Sequence, residues 1–262
     1  MISRVAAALA IAGVFAIAAC AARALTVRGA IAAILVGAAA ITAGWSWGVL
    51  LLAFFLSSSA LSRAGVDIKN GRTSDVVEKS GARDAVQVIA NGGIFGITAV
   101  ASVIVPSDAW LAAGAGALAA STADTWATEV GMLVGGTPRT VTTWRAVPPG
   151  TSGGVTAAGT LGMIAGSAFL TLVAAAVVWP RPIVAATFVG GLAGALADSF
   201  AGATIQGRRR CSSCDTLTER TIHSCGTPTV HAGGIPWLSN DAVNLLCAAV
   251  GAFTAVAVAG AF

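Results

Sequence analysis

The sequence predicts an all-α membrane protein, a polytopic bundle of about eight transmembrane helices joined by small cytoplasmic loops. Of its 262 residues, 56% are hydrophobic and only 10% are charged, whereas a soluble domain carries about 25% charged residues to meet water. Its 32 glycines and frequent alanines are small residues, which let helices in lipid pack closely. We expect residues 1–262 to form a single integral membrane domain, with the lipid bilayer as its surroundings.

The predicted spans follow from the uncharged runs, because a helix needs about 20 apolar residues to cross the hydrocarbon of a bilayer. The second run, from Gly29 to Ser62, covers 34 residues and is too long for one span. We divide it near the segment Gly44–Gly48, where glycines interrupt the run and two tryptophans suit the membrane interface. The eight spans are then 5–22, two within 29–62, 85–105, 109–123, 152–179, 182–205 and 241–262.

The first run, Val5–Ala22, has a second interpretation. The small residues around Ala18–Cys20 also resemble the cleavage site of a secretory signal peptide. Because the runs that follow are equally apolar, we favour a first helix that stays in the protein.

The charge distribution orients these spans, since basic residues favour the cytoplasmic side of a membrane. With eight spans, thirteen of the fifteen basic residues fall on one side, and only Arg4 and Arg181 fall on the other. Ten of the eleven acidic residues lie on that same side, with Asp108 as the exception. We therefore expect a multi-pass protein of the cytoplasmic membrane with a cytoplasmic active face and two non-cytoplasmic termini. The predicted cytoplasmic loops are about 63–84, 131–150 and 206–239.

The net charge of +4 comes from arginines in short loops between apolar runs. The sequence has no basic patch with interleaved aromatic residues, which is the pattern of proteins that bind single-stranded nucleic acid. We therefore expect these arginines to set the topology, and we expect no nucleic-acid partner.

Four acidic residues lie at the ends of predicted spans, where ionisable side chains are costly and usually face a polar cavity: Asp124, Glu129, Asp198 and Asp241. Asp124 and Glu129 are five residues apart, so a continuous helix would turn them about 140° from each other. They share a site only if the helix unwinds there or if they bind different partners. The segment 123–127 (Ala-Asp-Thr-Trp-Ala) is echoed by 197–201 (Ala-Asp-Ser-Phe-Ala). We interpret the echo as two helix ends that bring equivalent carboxylates, Asp124 and Asp198, to one site.

A cation would relieve the repulsion between such carboxylates. Carboxylates beside a phosphate site are typical magnesium ligands. We therefore predict a magnesium site formed by Asp124, Glu129 and Asp198.

A glycine-rich loop precedes the predicted span 152–179. A loop that enters a helix presents free backbone N–H groups, which favour phosphate. We therefore predict that Gly150, Thr151, Ser152, Gly153 and Gly154 bind nucleotide phosphates. The alternative is a simple turn that lets the next helix pack. The Gly-x4-Gly-Lys-Ser/Thr pattern of a P-loop is absent from the sequence.

Further polar side chains stand where two other spans begin. On a helix, Lys79 and Arg83 would share a face, and we predict that they contact a substrate phosphate while Asn91 lines the cavity. The alternative is that the two cations only anchor the helix at the lipid headgroups. Asn240 and Asn244 would also share a helix face, so we expect both to point into the cavity. Helix capping is an alternative for Asn240 and leaves Asn244 unexplained.

The loop 206–239 contains a cluster of cysteine and histidine residues. Cys211 and Cys214 form a Cys-x-x-Cys pair, and His223 and Cys225 follow nearby. Thiols in a cytoplasmic loop favour metal over disulfide, and four such ligands suit a structural zinc site. We predict zinc at these four residues, with His231 as an alternative to His223.

Five segments, taken in order, resemble the family of integral membrane proteins filed as domain of unknown function ninety-two, which includes proteins like transmembrane protein nineteen and plant phytyl-phosphate kinase. The resemblance runs from about Ser57 to the C-terminus. It is carried by residues 78–93, Asp124-Thr-Trp-Ala-Thr-Glu129, Pro149-Gly-Thr-Ser-Gly-Gly154, Asp198-Ser-Phe-Ala-Gly-Ala-Thr-Ile-Gln206 and Asn240-Asp-Ala-Val-Asn244.

This resemblance implies a membrane-embedded phosphotransferase. The activity it implies is transfer of a phosphoryl group from CTP or another nucleoside triphosphate, such as ATP, to a prenyl monophosphate, which gives the diphosphate. It also implies magnesium as cofactor and a site at the cytoplasmic face. The residues that it assigns to catalysis are Asp124, Glu129, Asp198, Lys79 and Arg83. Those that it assigns to nucleotide or phosphate binding are residues 150–154, Asn91, Gln206, Asn240 and Asn244.

Two other functions remain alternatives at this point. A transporter would place polar residues near broken helices at the middle of the membrane, whereas the predicted topology clusters the acids at one face. A non-catalytic membrane scaffold would recruit a partner through its cysteine-rich loop. The paired aspartates argue against the scaffold.

Overall fold

Helices dominate the part of the chain that the structure, a computed structural model, describes, namely residues 2–79 and 81–261. Within these residues, eight helices have 17 or more residues, and a ninth has 8. They are α1 (Ile2–Ala21), α2 (Val27–Ala43), α3 (Trp45–Arg63), α4 (Val66–Thr73), α5 (Ala85–Ile104), α6 (Asp108–Val134), α7 (Ala157–Ala176), α8 (Arg181–Thr204) and α9 (Asn240–Ala259).

Six of the helices are long and apolar enough to cross a membrane: α1, α3, α5, α7, α8 and α9. Helix α2 is apolar but has only 17 residues. Helix α6 has 27 residues and is not in this group, because alanine and glycine, which are only weakly hydrophobic, form most of its apolar part. The prediction of a polytopic helical membrane protein is confirmed. The number of eight spans stays a prediction.

Helix α6 lies at the centre of the bundle. Its twelve consecutive residues from Ala112 to Ala123 are all buried, and it packs against α3, α5, α7, α8 and α9. At one crossing, Gly116 of α6, Gly190 of α8 and Gly251 of α9 meet with no side chain between the backbones. Small residues allow the helices to approach this closely. In lipid, apolar burial does not drive helices together, so such close packing stabilises their association. The chain's glycine content therefore shapes the bundle.

The predicted division of the run 29–62 is confirmed at Gly44. This residue ends α2 and adopts φ 154° and ψ 162°, a conformation that side-chain-bearing residues rarely reach. The expectation that both nearby tryptophans lie at the interface was wrong for Trp47. Its ring is buried and packs on Phe95 and Trp179, with ring centres 5.1 and 5.3 Å away.

Two helix boundaries differ from the predicted ones. Helix α6 continues to Val134, eleven residues beyond the predicted end of that span. Helix α7 begins at Ala157, behind the cap Thr156, rather than at the glycine-rich loop. Hydropathy records neither boundary, and the start of α7 is set by a local cap in which Oγ1 of Thr156 accepts from the backbone N–H of Gly159.

Two small sheets add to the predicted all-α architecture. Strand β1 (Arg139–Thr140) pairs antiparallel with β2 (Gly154–Val155) between α6 and α7. Strands β3 (Arg208–Cys211), β4 (Leu217–Thr218) and β5 (Thr229–Gly233) form a three-stranded antiparallel sheet in the order β4-β3-β5. This sheet lies within the predicted loop 206–239, and residues 208–233 are called the insert below.

We expect the substitution Gly190→Ala to destabilise the bundle, because the added Cβ would lie 2.6 Å from the carbonyl oxygen of Gly251. Overpacking of this kind lowers the free energy of unfolding by about 1–3 kcal/mol. The matched control is Gly13→Ala in α1, where no atom lies within 4 Å of the new Cβ. Unfolding in mixed micelles measures both. Equal stability of the two variants would contradict the crossing.

Candidate functional site

A polar cavity of about 360 Å³ lies among α3, α4, α5, α6, α8 and α9. It collects eight of the residues that the sequence predicted for the site, although these come from segments far apart in the chain. They are Lys79, Arg83, Asn91, Asp124, Glu129, Asp198, Asn240 and Asn244. The residues before α2, the short helix α4 and the residues before α5 line it as well, so the cavity lies at one end of the bundle.

Two carboxyl groups meet in this cavity. Asp124 of α6 and Asp198 of α8 lie beside each other in its lining, as their sequence echo predicted. Among the described residues, neither has a basic partner within 4.0 Å, and Oδ2 of Asp198 is buried without any hydrogen-bond partner. Two buried carboxylates repel each other unless a proton or a cation lies between them. Their oxygens are the donors that a divalent cation such as magnesium prefers.

Glu129 also lines the cavity, but its carboxylate binds other groups. Its Oε2 lies 2.6 Å from Nζ of Lys69, and its Oε1 accepts a hydrogen bond of 2.6 Å from Ser62. Lys69 also donates to the carbonyl oxygens of Leu61 and Ser62. Helix α6 is continuous through Asp124 and Glu129, so the two acids use different partners. The predicted assignment of Glu129 to magnesium is therefore not supported by its contacts.

Three arginines give the cavity its positive charge. Among the described residues, Arg23, Arg63 and Arg83 have no carboxylate partner within 4.0 Å. Arg63 donates to the carbonyl oxygen of Ala22 at 2.8 Å, and Arg83 donates to Oγ of Ser59 at 3.3 Å. These contacts hold the guanidinium groups at the cavity without neutralising them. They remain available to an anion.

Lys79 joins two helices at the rim of the cavity. Its ammonium lies 2.6 Å from Oδ2 of Asp241 and 2.9 Å from Oδ2 of Asp84. Partial burial alone would lower the pKa of Lys79, but the hydrogen bonds and charges of the two aspartates outweigh it and raise the pKa. Lys79 therefore stays charged at neutral pH.

The start of α5 differs in one respect from the prediction. Lys79 and Arg83 do not share a helix face, because α5 begins at Ala85 with Asp84 as its N-cap. Asp84 and Gln87 form a capping box. The extended segment before the helix still directs both cations to the cavity, and Asn91 lies two turns further along α5.

The polar residues at the start of α9 also lie as expected. Asn240 is the first residue of α9, and Asn244 is one turn further on. Both line the cavity. The cap of this helix is Ser239, whose Oγ accepts from the backbone N–H of Ala242, so capping does not explain either asparagine.

The glycine-rich loop 150–154 and Gln206 do not line this cavity. A Cβ on Gly150 would meet Val77 at 3.0 Å, and the Ser152 hydroxyl donates to Glu219. Gln206 donates to the same carboxylate at 2.9 Å. These contacts favour the alternative of a packing turn. The structure therefore does not support the prediction of a phosphate cradle here.

An apolar cavity of about 240 Å³ adjoins the polar one. Residues of α1, α2, α3 and α5 line it, with Phe15, Ile41 and Phe55 among its walls. Both cavities share three lining residues: Arg83, Gln87 and Asn91. Arg83 thus lies at the boundary between the apolar cavity and the polar cavity.

The predicted cysteine and histidine cluster is brought together in the insert. Ligand atoms of Cys211, Cys214, His223 and Cys225 all lie within 4.8 Å of one another. His231 lies on β5 and is not part of this group.

Sequence comparison assigns the chain to a family. The model of the family described as integral membrane protein DUF92 matches residues 10–252. The chain belongs to this family. Protein PGR of Arabidopsis thaliana is 32% identical over 250 residues, which cover 86% of this chain and 85% of the relative.

Two further relatives are membrane proteins from other organisms. An uncharacterized membrane protein of Methanocaldococcus jannaschii is 33% identical over 164 residues, covering 62% of this chain and 66% of that protein. One from Synechocystis is 29% identical over 221 residues, covering 82% and 74%. No solved structure matches the chain.

Sequence reasoning did not assign Arg23, Arg63 and Lys69 to the site. The two arginines were recognised only as topology signals, and their positions directly after spans on the same side as the acids were the available clue. Lys69 binds Glu129 across sixty residues of sequence, and no local pattern reports such a pair.

We expect Lys69→Met to lower the free energy of unfolding by about 3–5 kcal/mol, because it leaves the largely buried Glu129 carboxylate without its cation. The double variant Lys69→Met/Glu129→Leu removes both charges and should lose less. Unfolding of the single and double variants in mixed micelles measures the coupling. Additive losses would contradict the pair.

Proposed function

We propose that this protein is a membrane-embedded phosphotransferase that converts a prenyl monophosphate into the diphosphate, with CTP or another nucleoside triphosphate as donor. One observation carries the proposal: within residues 2–79 and 81–261, a single cavity contains two carboxylates without cation partners and three arginines without carboxylate partners. Phosphoryl transfer requires such an arrangement, because its catalysis consists mainly of positioning and charge neutralisation. The family resemblance of the sequence supports the same activity.

The proposed topology has eight spans, with α2 and α6 crossing the membrane beside the six long apolar helices. Helix α6 crosses among other helices, so its weak hydropathy meets protein rather than lipid. The cavity then opens to the cytoplasm, where the nucleotide is available. Both termini lie on the opposite side, and the membrane is the cytoplasmic membrane.

Asp124 and Asp198 are the residues that would hold magnesium. Their mutual contact and the unpaired Oδ2 of Asp198 fit a divalent cation. Bound magnesium neutralises charge on the donor phosphates and on the transferred phosphoryl group. Glu129 has its own partners and is left out of this assignment.

The cations of the cavity would hold the two phosphate-bearing substrates. A guanidinium group donates paired hydrogen bonds that match phosphate oxygens, and Arg23, Arg63 and Arg83 are free for that purpose. An oxygen of the acceptor monophosphate attacks the γ-phosphorus of the donor. The bond to the nucleoside diphosphate breaks, and a prenyl diphosphate forms. The acceptor oxygen is already ionised, so no strong general base is needed.

The adjoining apolar cavity would take the hydrocarbon tail of the acceptor. Arg83 lies in the lining of both cavities, so a phosphate bound there places its tail among the apolar side chains of α1, α2 and α3. A phosphate substrate without a hydrocarbon tail would leave the apolar cavity unfilled. Burial of the tail contributes roughly 0.8 kcal/mol per methylene group.

The activity test uses purified full-length protein in detergent with magnesium, a prenyl monophosphate, and CTP or ATP labelled at the γ-position. We expect labelled prenyl diphosphate from the unchanged protein, and a loss of kcat/KM of about 100-fold or more in Asp198→Asn. The matched control is Asp108→Asn, which alters an exposed aspartate outside the cavity and should retain activity.

The same assay separates the alternatives. No diphosphate from folded protein with any acceptor or donor would overturn the phosphotransferase. Uptake of a solute into vesicles that depends on Asp198 would then indicate a transporter. Equal activity of Asp198→Asn and Asp108→Asn would remove the proposed magnesium site.

The tail site has a test of its own. We expect Ala33→Phe, which narrows the apolar cavity, to raise KM for a twenty-carbon acceptor more than for a ten-carbon acceptor, because only the longer tail needs the full depth. The matched control is Ala165→Phe, at an exposed position of α7. If the two variants shift KM equally, or if both chain lengths shift alike, the tail lies elsewhere.

A further inference from the structure

The insert has almost no hydrophobic core. Its strands have four, two and five residues, and its large apolar side chains Leu217, Ile222 and Val230 are exposed. Small sheets of this kind are not stable by apolar burial alone and usually need a disulfide or a metal. Among the described residues the cysteines are all free thiols. The insert therefore needs a stabilising cross-link other than a disulfide.

The geometry of the cysteine and histidine cluster suits zinc. Sγ of Cys211 lies 3.6 Å from Sγ of Cys225, and Nδ1 of His223 lies 3.2 Å from the same sulfur. Tetrahedral zinc with bonds of about 2.3 Å to sulfur separates two sulfurs by roughly 3.8 Å. A disulfide would need about 2.05 Å. Cys211 and His223 are buried, and Nε2 of His223 has no partner among the described residues.

The insert forms hydrogen bonds with the segment that leads to Lys79, a cation of the site. The backbone N–H of Glu219 donates to the carbonyl oxygen of Val76 at 2.9 Å, and the guanidinium of Arg220 donates to that of Ser74 at 3.1 Å. Ser224, which lies between two of the zinc ligands, donates to Asp75 at 2.6 Å. Residues 74–77 are thus bound to the part of the insert that follows β4.

Lys79 follows this segment directly. No helix contains it, so its backbone position depends on residues 74–77, while its ammonium is held by Asp84 and Asp241. The hydrogen bonds from Ser152 and Gln206 to Glu219 attach the same insert to the bundle. The insert therefore connects α8 to the segment that bears Lys79.

We propose that Cys211, Cys214, His223 and Cys225 bind one structural Zn²⁺ and that this metal, by holding the insert against residues 74–77, positions Lys79 at the cavity. The ligands supply three thiolates and one imidazole, a set that closes a tetrahedral zinc site without an open position. The metal takes no part in the chemistry. Its positioning role rests on the proposed function, whereas its binding does not.

The binding test is metal analysis of the full-length protein purified without chelators. We expect about one zinc per chain, and less than a tenth of that in the Cys211→Ser/Cys225→Ser variant. The matched control is Cys20→Ser in α1, which should keep its zinc. Cobalt exchanged into the site should show the visible absorption of tetrahedral thiolate-bound Co²⁺. Protein without zinc, or with a Cys211–Cys225 disulfide, would overturn the site.

The positioning test removes zinc from the unchanged protein with a chelator and measures amide hydrogen exchange. We expect exchange of residues 74–79 to rise at least about tenfold while α6 and α9 stay protected, and added Zn²⁺ to restore protection. In the phosphotransferase assay KM should rise more than kcat falls, because Lys79 moves and Asp124 does not. Unchanged exchange in residues 74–79 after zinc loss would overturn the positioning role, whatever the activity shows.

Discussion

Two carboxyl groups held together inside an apolar bundle are the constraint on which this structure depends. Asp124 and Asp198 come from the neighbouring helices α6 and α8, and no basic side chain among the described residues pairs with either. Such a pair is costly without a bound cation or a shared proton. The proposed divalent cation would account for this pair in a chain with only 10% charged residues, and the proposed phosphate-bearing substrates would account for the unpaired arginines nearby.

The packing of small residues makes the carboxyl pair geometrically available. Helix α6 is buried over twelve consecutive residues, and glycines at its crossings with α8 and α9 remove the side chains that would hold the helices apart. The polar cavity brings charged and amide side chains together at one end of the bundle, where helix ends and connecting segments meet. The proposed site and the glycine crossings that pack the bundle therefore lie on different parts of the same helices.

Much of the site could be predicted from the sequence, because its signals are local. The repeated Ala-Asp segments predicted the meeting of Asp124 and Asp198, the amides of α5 and α9 predicted cavity-lining positions, and glycine at position 44 predicted the break between α2 and α3. What failed depends on distant contacts. Glu129 is bound by Lys69 and Ser62, and the loop 150–154 packs on residues near Val77; no spacing rule records either. The short strands of the insert were missed because charged and polar residues interrupt any alternating pattern.

Direct detection of a divalent cation at the carboxyl pair tests the central claim most closely. Mn²⁺, as a spectroscopic substitute for magnesium, can be titrated into zinc-loaded protein in the presence of a non-hydrolysable nucleoside triphosphate and followed by electron paramagnetic resonance. The account predicts one Mn²⁺ bound per chain through Asp124 and Asp198, a tenfold or greater weakening in Asp198→Asn, and unchanged binding in Asp108→Asn. Binding that is absent from the unchanged protein, or that persists equally in Asp198→Asn, would contradict it.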